Sequence, residues 1–392
     1  MTHSLVHISN WATFQAEKPL KVWVLSPLLT SADENIDYYY DFTQSIEEYT
    51  RVFNTLKLNW KWQPVTLTDF RNIIDEITFE KNEGVVLPVV FNLCDGDEIN
   101  GTPGVSVIDY LEEKELIYTG ANRHFYEITT SKIPMKKAFD RHGVANAEWC
   151  VLKDIEDAER LLQQTGGPLI VKPAVSGGSM GVSTKNVIDN TTDLSALLDE
   201  LTNGYRGWNL MADGLIAEQF IQGPEFTVLI CGHHLKPDEI RIYCPVERVF
   251  HPSLPEKEKF LSFDRLWEIY ENESAMPEDG NFYDYRLPNE NIISDLKNIS
   301  QSAFIATGGV GYARADIRMD AMTGKLFMIE INAQCGISED ENYTSIGAIL
   351  RFAHIPFHQL VEDILNNAFE NHIHLVVKEK MKTLPHLNNG NA

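Results

Sequence analysis

The sequence predicts an α/β protein built from more than one domain, and three observations lead to this prediction. A chain of 392 residues is too long for one ordinary hydrophobic core, so two or three domains are expected. Short apolar segments alternate with helical patterns up to about residue 111, which is typical of a parallel sheet covered by helices. Residues 311–338 alternate between apolar and polar side chains on both sides of a turn-rich centre, which predicts a β-hairpin.

Composition and charge exclude several classes of function. The hydrophobic content of 43% and charged content of 23% are those of a soluble globular protein. A net charge of −24 argues against a nucleic acid partner, so an anionic substrate would need a local cluster of basic groups. No apolar run is long enough to cross a membrane, and the first residues do not resemble a signal peptide. Five scattered cysteines show no zinc spacing, so we expect a reduced, cytoplasmic protein that does not act on membranes.

The first third of the chain carries the alternating elements. After a loosely ordered arm over residues 1–18, we predict strands at Lys21–Leu25, Trp60–Leu67 and Val85–Leu93, and helices at Tyr38–Leu58, Asp69–Phe79 and Pro103–Leu111. Ligands of parallel sheets gather at the carboxyl ends of the strands. The loop Asn92–Gly104 is therefore a candidate substrate loop, and an ordinary surface connection explains its composition equally well.

A glycine-rich stretch follows two predicted helices, Lys132–Arg141 (capped by Thr130 or Ser131 and ended by Gly143) and Ile155–Gln164. Predicted strands at 169–173 and 181–185 flank a loop of serines and glycines that follows Lys172. Glycines let backbone N–H groups approach phosphate oxygens, and a lysine adds positive charge. The stretch matches neither common phosphate loop, and an ordinary glycine-rich hairpin is the alternative.

The later segments add two glutamates and several helices. Glu218 and Glu225 flank a Gly-Pro turn, where they could bind a nucleotide or simply be solvated. Residues 232–289 look irregular and suggest an active-site loop or lid. We predict further helices at Asn289–Thr307, Ile346–Phe352 and Phe357–Phe369, and a polar tail from Lys378.

The predicted hairpin places oxygen-bearing side chains on one face. On its first arm Ala313, Ala315, Ile317 and Met319 share one parity, and on its second arm Phe327, Ile329 and Ile331 do the same. A register that buries both apolar sets brings Asp316 near Glu330, and Arg314 near Asn332. Such oxygen ligands suit Mg²⁺ together with phosphate, whereas the alternative is a hairpin with a solvated outer face.

Taken in order, these stretches resemble the ATP-grasp superfamily, specifically its D-alanine–D-alanine ligase-like branch. The segments that carry the resemblance are VKPAVSGGSMGVS, AEQFIQGPEFTV, ARADIRMD and MIEINAQCGIS, within a likeness over about residues 85–370. The resemblance implies a three-domain fold of α/β and α+β class. Its expected parts are an N-terminal α/β substrate domain over 1–130, two domains that clasp ATP over 131–221 and 222–380, and a polar tail over 381–392.

Residue matching implies the roles of individual side chains. The ATP site would consist of Lys132, Lys172, Gly177, Gly178, Ser179, Glu218, Ile221 and Glu225. The lysines and glycines would bind the phosphates, Glu218 and the backbone of Ile221 the adenine, and Glu225 the ribose. Two Mg²⁺ (or Mn²⁺) ions would be bound by Asp316, Glu330 and Asn332. Arg314 would stabilise the acylphosphate and the tetrahedral intermediate.

The sequence departs from the family pattern in both amino-acid pockets. SPLLTSADEN replaces the family's N-terminal Gly-Gly-Ser-Glu signature, and Cys94-Asp95 replaces a His-Gly pair. Gly178 stands where a serine is usual, and Pro288 and Asn289 stand where a lysine and a tyrosine are usual. Arg286 is a candidate replacement for that lysine, and the acidic run Glu339–Glu341 suggests an acceptor with a positive group. The expected substrate residues are Asp95, Arg286, Gly336 and Glu341.

The sequence thus predicts an ATP-dependent carboxylate–amine ligase that forms an amide bond through an acylphosphate. Its partners would be small carboxylate and amine substrates, amino acids above all, without strict specificity for two D-alanines. An ATP-binding regulatory or structural module of the same fold, without ligase activity, is the alternative. The sequence leaves the two substrates and the formation of a homodimer open.

Overall fold

The structure is a computed structural model that describes residues 18–29, 41–192, 194–204, 207–270, 273–276, 280–340, 342 and 344–383. Three β-sheets are formed by successive parts of the chain. The predicted arm before residue 18 lies outside the described residues, and so does the start of the helix predicted from Tyr38.

The first sheet is parallel, as the alternation of strands and helices predicts. Its order is β2-β1-β3-β4, from strands β1 (Leu20–Pro27), β2 (Asn59–Val65), β3 (Leu87–Asn92) and β4 (Ile117–Tyr118). Its helices are α1 (Thr43–Leu56), α2 (Phe70–Glu83) and α3 (Val105–Glu113). Val22 and Val24 pack into one hydrophobic core while Trp23 and Leu25 pack into another. Both faces of the sheet are therefore buried, which explains the continuous apolar runs.

The second sheet is antiparallel and carries one of the predicted lysines, Lys172. Its order is β5-β8-β6-β7, from β5 (Trp149–Leu152), β6 (Leu169–Pro173), β7 (Val187–Ile188) and β8 (Leu215–Gln219). The helices before it, α4 (Arg123–Thr130) and α5 (Lys132–His142), pack in the core of the third sheet, whereas α6 (Ile155–Thr165) and α7 (Leu194–Asn203) pack on this one. The predicted caps of α5 are confirmed, because Ser131 Oγ accepts a hydrogen bond from Ile133 N and Gly143 adopts a left-handed φ of 68°.

The predicted strand at 181–185 is wrong. A turn follows β6 instead, and a short 3₁₀ segment at Thr184–Asn186 leads into β7. The side-chain amide of Asn186 donates to Val171 O at 2.7 Å and to Gly181 O at 2.9 Å. Because these side-chain bonds satisfy carbonyl groups that a strand ladder would use, the strand that pairs with β6 after the glycine-rich loop is the two-residue β7 alone.

The third sheet is antiparallel and carries the predicted hairpin. Its order is β12-β11-β9-β13-β14, with β10 also paired to β9. The strands are β9 (Glu225–His233), β10 (Arg241–Ile242), β11 (Val246–Phe250), β12 (Tyr283–Arg286), β13 (Val310–Met319) and β14 (Leu326–Ala333), with helices α8 (Phe263–Leu266) and α9 (Glu290–Ala306).

Residues 232–289 are less irregular than the sequence predicts, because they contain β10, β11 and β12. Two adjacent charged residues interrupt the alternation of apolar and polar side chains in β11, so the sequence did not indicate a strand there. Each charge is paired within the sheet: Glu247 with Arg286, and Arg248 with Glu225.

Two C-terminal helices join the first and third sheets. They are α10 (Ser345–Ala353) and α11 (Phe357–Thr383). Leu360 and Ile364 of α11 pack in the same core as Val22 of β1 and Tyr312 of β13. Helix α11 extends beyond the predicted end at Phe369 and through Lys378, where a tail was expected, since residues 378–382 are all good helix formers. Among the described residues, no helix is both long and apolar enough to cross a membrane.

Candidate active site

The hairpin of β13 and β14 places the predicted metal ligands side by side. Arg314 lies opposite Asn332, and Asp316 lies opposite Glu330, as the alternation of side chains predicts. A β-bulge after Asp316 then shifts the register, so that Ile317 pairs with Met328. Met328, not Ile329, is therefore fully buried on the second arm, which corrects the predicted apolar face.

Direct contacts hold the four polar side chains of the hairpin together. Arg314 NH2 lies 2.9 Å from Asp316 Oδ2, and Asn332 Nδ2 donates to the same oxygen at 3.2 Å. Asn332 Nδ2 also lies 3.3 Å from Glu330 Oε1. Thr227 on β9 donates to Asp316 Oδ1 at 2.9 Å. Asp316 is thus oriented from both neighbouring strands.

The electrostatics of this group differ between its two carboxylates. Burial raises the pKa of Asp316, partly offset by the Arg314 cation. Burial also acts to raise the pKa of Glu330, but Lys132, Lys172 and Arg314 outweigh it and lower that pKa. Two carboxylates and a carboxamide side chain beside them offer oxygen donors of the types that Mg²⁺ takes, once the amide turns its oxygen towards the ion, so the residues present fit this ion.

A cavity of about 320 Å³ opens beside the hairpin. It brings together eight residues that sequence reasoning assigns to the site, namely Asp95, Lys132, Gly177, Gly178, Arg314, Glu330, Asn332 and Gly336. These residues come from all three parts of the chain. The cavity therefore lies where the three sheets meet.

Lys132 supplies a buried positive charge in this cavity. It is the first residue of α5, and its backbone N–H donates to Ala174 O at 2.8 Å, which ties the helix to the glycine-rich loop. Its ammonium group donates to Ser176 Oγ at 3.1 Å. Burial lowers the pKa of Lys132, and the Glu330 carboxylate partly opposes that effect.

Glu218 is held by two lysines rather than by open solvent. Lys172 contacts Glu218 Oε1, and Lys136 Nζ lies 2.6 Å from Glu218 Oε2. Burial would raise the pKa of Glu218, but the two lysines outweigh it and lower the pKa to about 2. Sequence reasoning missed Lys136, although its position one helical turn after Lys132 was a usable signal.

Glu225 likewise has arginine partners that sequence reasoning missed. Arg248 on β11 forms a buried ion pair with Glu225 Oε1, and Arg318 Nε lies 3.4 Å from Glu225 Oε2. Arg318 also donates to Ile221 O at 2.9 Å. Arg318 therefore links two of the predicted nucleotide residues, Glu225 and Ile221, whereas Glu218 has its own two lysine partners. The cavity lining does not include Lys172, Ser179, Glu218, Ile221 or Glu225.

A segment between β11 and β12, which we name the covering segment (residues 251–270 and 273–276), packs on the glycine-rich loop. Trp267 Nε1 donates to Gly178 O at 2.9 Å, and Phe263 N donates to Val182 O at 2.8 Å. Glu273 Oε1 accepts from Thr184 N at 2.7 Å. Phe263 and Trp267 also line the cavity. Part of residues 232–289 therefore lies over the glycine-rich loop, and its role as an active-site loop or lid stays a prediction.

The covering segment also explains a departure from the family pattern. Gly178 has a φ of 54°, and a Cβ atom placed there would lie 2.9 Å from the Trp267 ring. A serine at this position would be strained and would collide with the tryptophan.

One of the expected substrate residues, Arg286, does not reach the cavity. Arg286 forms a two-point ion pair with Glu247, at 2.8 and 2.5 Å, and does not line the cavity. Glu341 lies outside the described residues, and its neighbour Glu339 pairs with Arg51 on α1. The described part of the acidic run therefore faces α1, whereas Asp95 and Gly336 do line the cavity.

Comparison with known proteins agrees with this architecture. A D-alanine–D-alanine ligase of Idiomarina loihiensis is 27% identical over 264 residues, which cover 66% of this chain and 74% of that protein. The structure of the D-alanine–D-alanine ligase from Coxiella burnetii aligns with a TM-score of 0.61 and 16% identity, over 93% of this chain and 99% of that one. A D-alanine–D-alanine ligase from Bacillus anthracis complexed with ATP aligns with a TM-score of 0.59 and 16% identity, over 91% and 99% of the two chains. These likenesses confirm the ATP-grasp fold class.

The family model described as the D-ala D-ala ligase C-terminus matches residues 138–366. Because this match covers more than half of the 392 residues, the chain belongs to the D-alanine–D-alanine ligase family, whose members are ATP-dependent carbon–nitrogen ligases.

Proposed function

We propose that this protein joins the carboxylate of one amino acid to the amino group of a second, using ATP and passing through an acylphosphate. One observation carries the proposal. A single cavity gathers Lys132, the glycine-rich loop and the Arg314–Glu330–Asn332 group, which are the charges that phosphoryl transfer to a carboxylate requires.

In the first step, a carboxylate oxygen of the substrate attacks the γ-phosphorus of ATP, the bond to the β-phosphate oxygen breaks, and ADP leaves. Lys132 neutralises phosphate charge, and backbone N–H groups near Gly177 orient the phosphates. Asp316, Glu330 and Asn332 would hold magnesium, which supplies further neutralisation at the phosphate oxygens when bound.

In the second step, the amine nitrogen of the other amino acid attacks the acyl carbon. A tetrahedral species with a negative oxygen forms and collapses to an amide, and inorganic phosphate leaves while the nitrogen loses a proton. Arg314 stabilises the negative oxygen because its guanidinium is fixed by Asp316 at the cavity wall. Phe263 and Trp267 of the covering segment help exclude water, which would hydrolyse an acylphosphate.

D-Alanine is the substrate that the names of the relatives suggest. Two features support a range wider than a pair of D-alanines. Asp95 and Cys94 replace the usual pair in the first-domain loop, and aromatic side chains of Trp208, Phe263 and Trp267 line the cavity. We therefore propose D-alanine as one substrate and a second amino acid that this altered wall selects.

The test is ADP release from Mg²⁺-ATP in the presence of single amino acids and pairs, D-alanine among them, with products identified by mass spectrometry. We expect ADP release that depends on an amino acid, and an amide product. Arg314→Ala should lower kcat at least 100-fold while nucleotide affinity changes less than threefold, since the lost cation acts on the intermediate. Arg160→Ala, on the exposed face of α6, is the matched control.

A different result would favour the regulatory or structural module. Nucleotide binding without ADP release under any amino acid pair, in the wild-type protein, contradicts the ligase proposal.

A further inference from the structure

The loop that follows β3 places a carboxylate in the cavity wall. Asp95 lines the cavity and is accessible to solvent there. Within the part of the chain that the structure describes, no other residue donates a hydrogen bond or forms an ion pair with this carboxylate. Asp97, two residues on, also lines the cavity, but Asn100 donates to it at 3.0 and 2.8 Å. The Asp95 carboxylate is therefore the one of the two that remains available for a ligand.

The backbone on both sides of Asp95 is fixed. The side-chain amide of Gln334 donates to Cys94 O at 2.9 Å, and the hydroxyl of Tyr126 donates to Gly96 O at 2.7 Å. Gln334 directly follows β14, so the loop of the first sheet is tied to the metal hairpin of the third. A carboxylate held in this way loses little conformational freedom when it binds a ligand.

The surroundings of Asp95 strengthen any interaction with a cation. Burial by surrounding protein raises the pKa of Asp95 to about 6, even though the residue is exposed where it lines the cavity. A carboxylate in such a low-polarity wall gains more from a cationic partner than one in bulk water does.

The charges around the cavity have opposite signs at different places. Among the described lining residues, Arg314 and Lys132 are cationic, and Asp95 is an anion that no other described residue pairs with. Burial raises the pKa of the Cys335 thiol to about 12; the Arg314 cation lowers this pKa and the Asp95 carboxylate raises it. Arg314, Asp95 and Cys335 all line the same cavity. An amino acid zwitterion has a carboxylate that can face the Arg314 cation and an ammonium group that can face Asp95.

We propose that Asp95 binds the ammonium group of an amino acid substrate. This inference rests on the ligase function proposed above and names the residue that selects substrates with a cationic nitrogen. An ammonium group offers three N–H donors, and a bond between it and a carboxylate is among the stronger hydrogen bonds in proteins.

Calorimetric titration tests this assignment without turnover. D-Alanine and D-lactate, in which a hydroxyl replaces the ammonium group, are titrated into protein with Mg²⁺ and a non-hydrolysable ATP analogue. A panel of D- and L-amino acids is titrated in the same way. The variant is Asp95→Asn, which keeps the side-chain shape, and the control is Asp109→Asn, which removes a surface charge paired with Arg123. A melting temperature no lower than that of the wild type shows that Asp95→Asn is folded.

We expect Asp95→Asn to raise the Kd of D-alanine, or of the amino acid that binds best, at least tenfold. D-Lactate should bind both proteins with affinities within twofold, and Asp109→Asn should match the wild type. Equal amino acid affinity in Asp95→Asn and wild type overturns the inference, and ADP release by the wild type in a separate assay with ATP then leaves the ligase proposal standing. Absence of amino acid binding to the wild type also overturns it. Binding that depends on Asp95 without any ADP release supports the inference and contradicts the ligase proposal.

Discussion

The carboxylate of Glu218 allows a quantitative test of the charge cluster between the second sheet and α5. We expect Glu218→Gln to destabilise the protein strongly at neutral pH and much less in acid. The substitution removes the negative partner of Lys136 and Lys172 but keeps the shape of the side chain. Lys136 is completely buried, so it would be left as an uncompensated charge.

The magnitude follows from the pKa of Glu218, which is about 2 instead of the ordinary 4.5. Each pKa unit corresponds to about 1.4 kcal/mol, so the ionised carboxylate contributes about 3 kcal/mol to the free energy of unfolding. The pKa is lowered in the folded state, so this contribution is fully present above pH 4.5 and is lost as the pH falls towards 2. At pH 3 about 1.4 kcal/mol should remain.

The assay is urea unfolding followed by tryptophan fluorescence at pH 7 and pH 3, for the wild type and Glu218→Gln. Glu148→Gln is the matched control, because Glu148 is exposed and lies just before β5 in the same part of the chain. It should change stability by less than about 0.5 kcal/mol. A loss for Glu218→Gln that is the same at both pH values, or smaller than about 1 kcal/mol at pH 7, would refute this reasoning.

Three further substitutions have defined outcomes. Asp95→Asn should stabilise the protein at pH 8 but not at pH 4, because the pKa of Asp95 is raised to about 6 and its ionised form therefore destabilises the fold above that pH. The full pKa shift corresponds to about 3 kcal/mol of unfolding free energy, and solvent access to the carboxylate reduces this to roughly 1 kcal/mol. Equal unfolding curves of the variant and the wild type at pH 8 would contradict this prediction. Gly178→Ala should raise the KM for ATP and lower the melting temperature, because the added Cβ would meet the Trp267 ring. Gly167→Ala is the control, because a Cβ at Gly167 enters open space, and identical melting curves for the two variants would argue against the contact. Arg286→Ala should leave kcat and the KM for ATP within twofold of the wild type and lower the free energy of unfolding by less than about 1 kcal/mol, because the arginine of its ion pair is 63% exposed. A tenfold loss of rate would instead support the expected contact between Arg286 and phosphate.

The register of the hairpin formed by β13 and β14 could be predicted because side chains alternate with period two along a strand. The pairing of Asp316 with Glu330 and of Arg314 with Asn332 followed from that period alone. The bulge after Asp316 could not be predicted in this way, since a single extra residue depends on how β14 packs against its neighbours.

The ion-pair partners in the ATP region could not be predicted, because the contacts join residues far apart in the sequence. Glu218 meets Lys136 from α5, and Glu225 meets Arg248 from the next strand of its sheet. The acidic run near Glu339 illustrates the same limit. Its proposed role at the acceptor assumed that it faces the cavity, whereas Glu339 pairs with Arg51, which lies 288 residues earlier.

The covering segment was predicted only in outline. Its aromatic residues and prolines show no helical or strand period, so the sequence indicated a long functional loop and nothing about its contacts. Its placement depends on Trp267, which bonds to Gly178, a residue 89 positions away. The sequence showed Gly178 only as a departure from the family's usual serine, whereas the structure explains the glycine, because a side chain there would clash with Trp267.

In the proposed reaction, a substrate carboxylate becomes an acylphosphate in the cavity beside Arg314. The most direct test of this step uses D-alanine labelled with ¹⁸O in the carboxylate, or the donor amino acid identified in the screen, together with Mg²⁺-ATP and the acceptor. We expect one ¹⁸O atom in each inorganic phosphate released, because the acyl carbon–oxygen bond breaks after the oxygen has been phosphorylated. Release of unlabelled phosphate together with the amide product would contradict it.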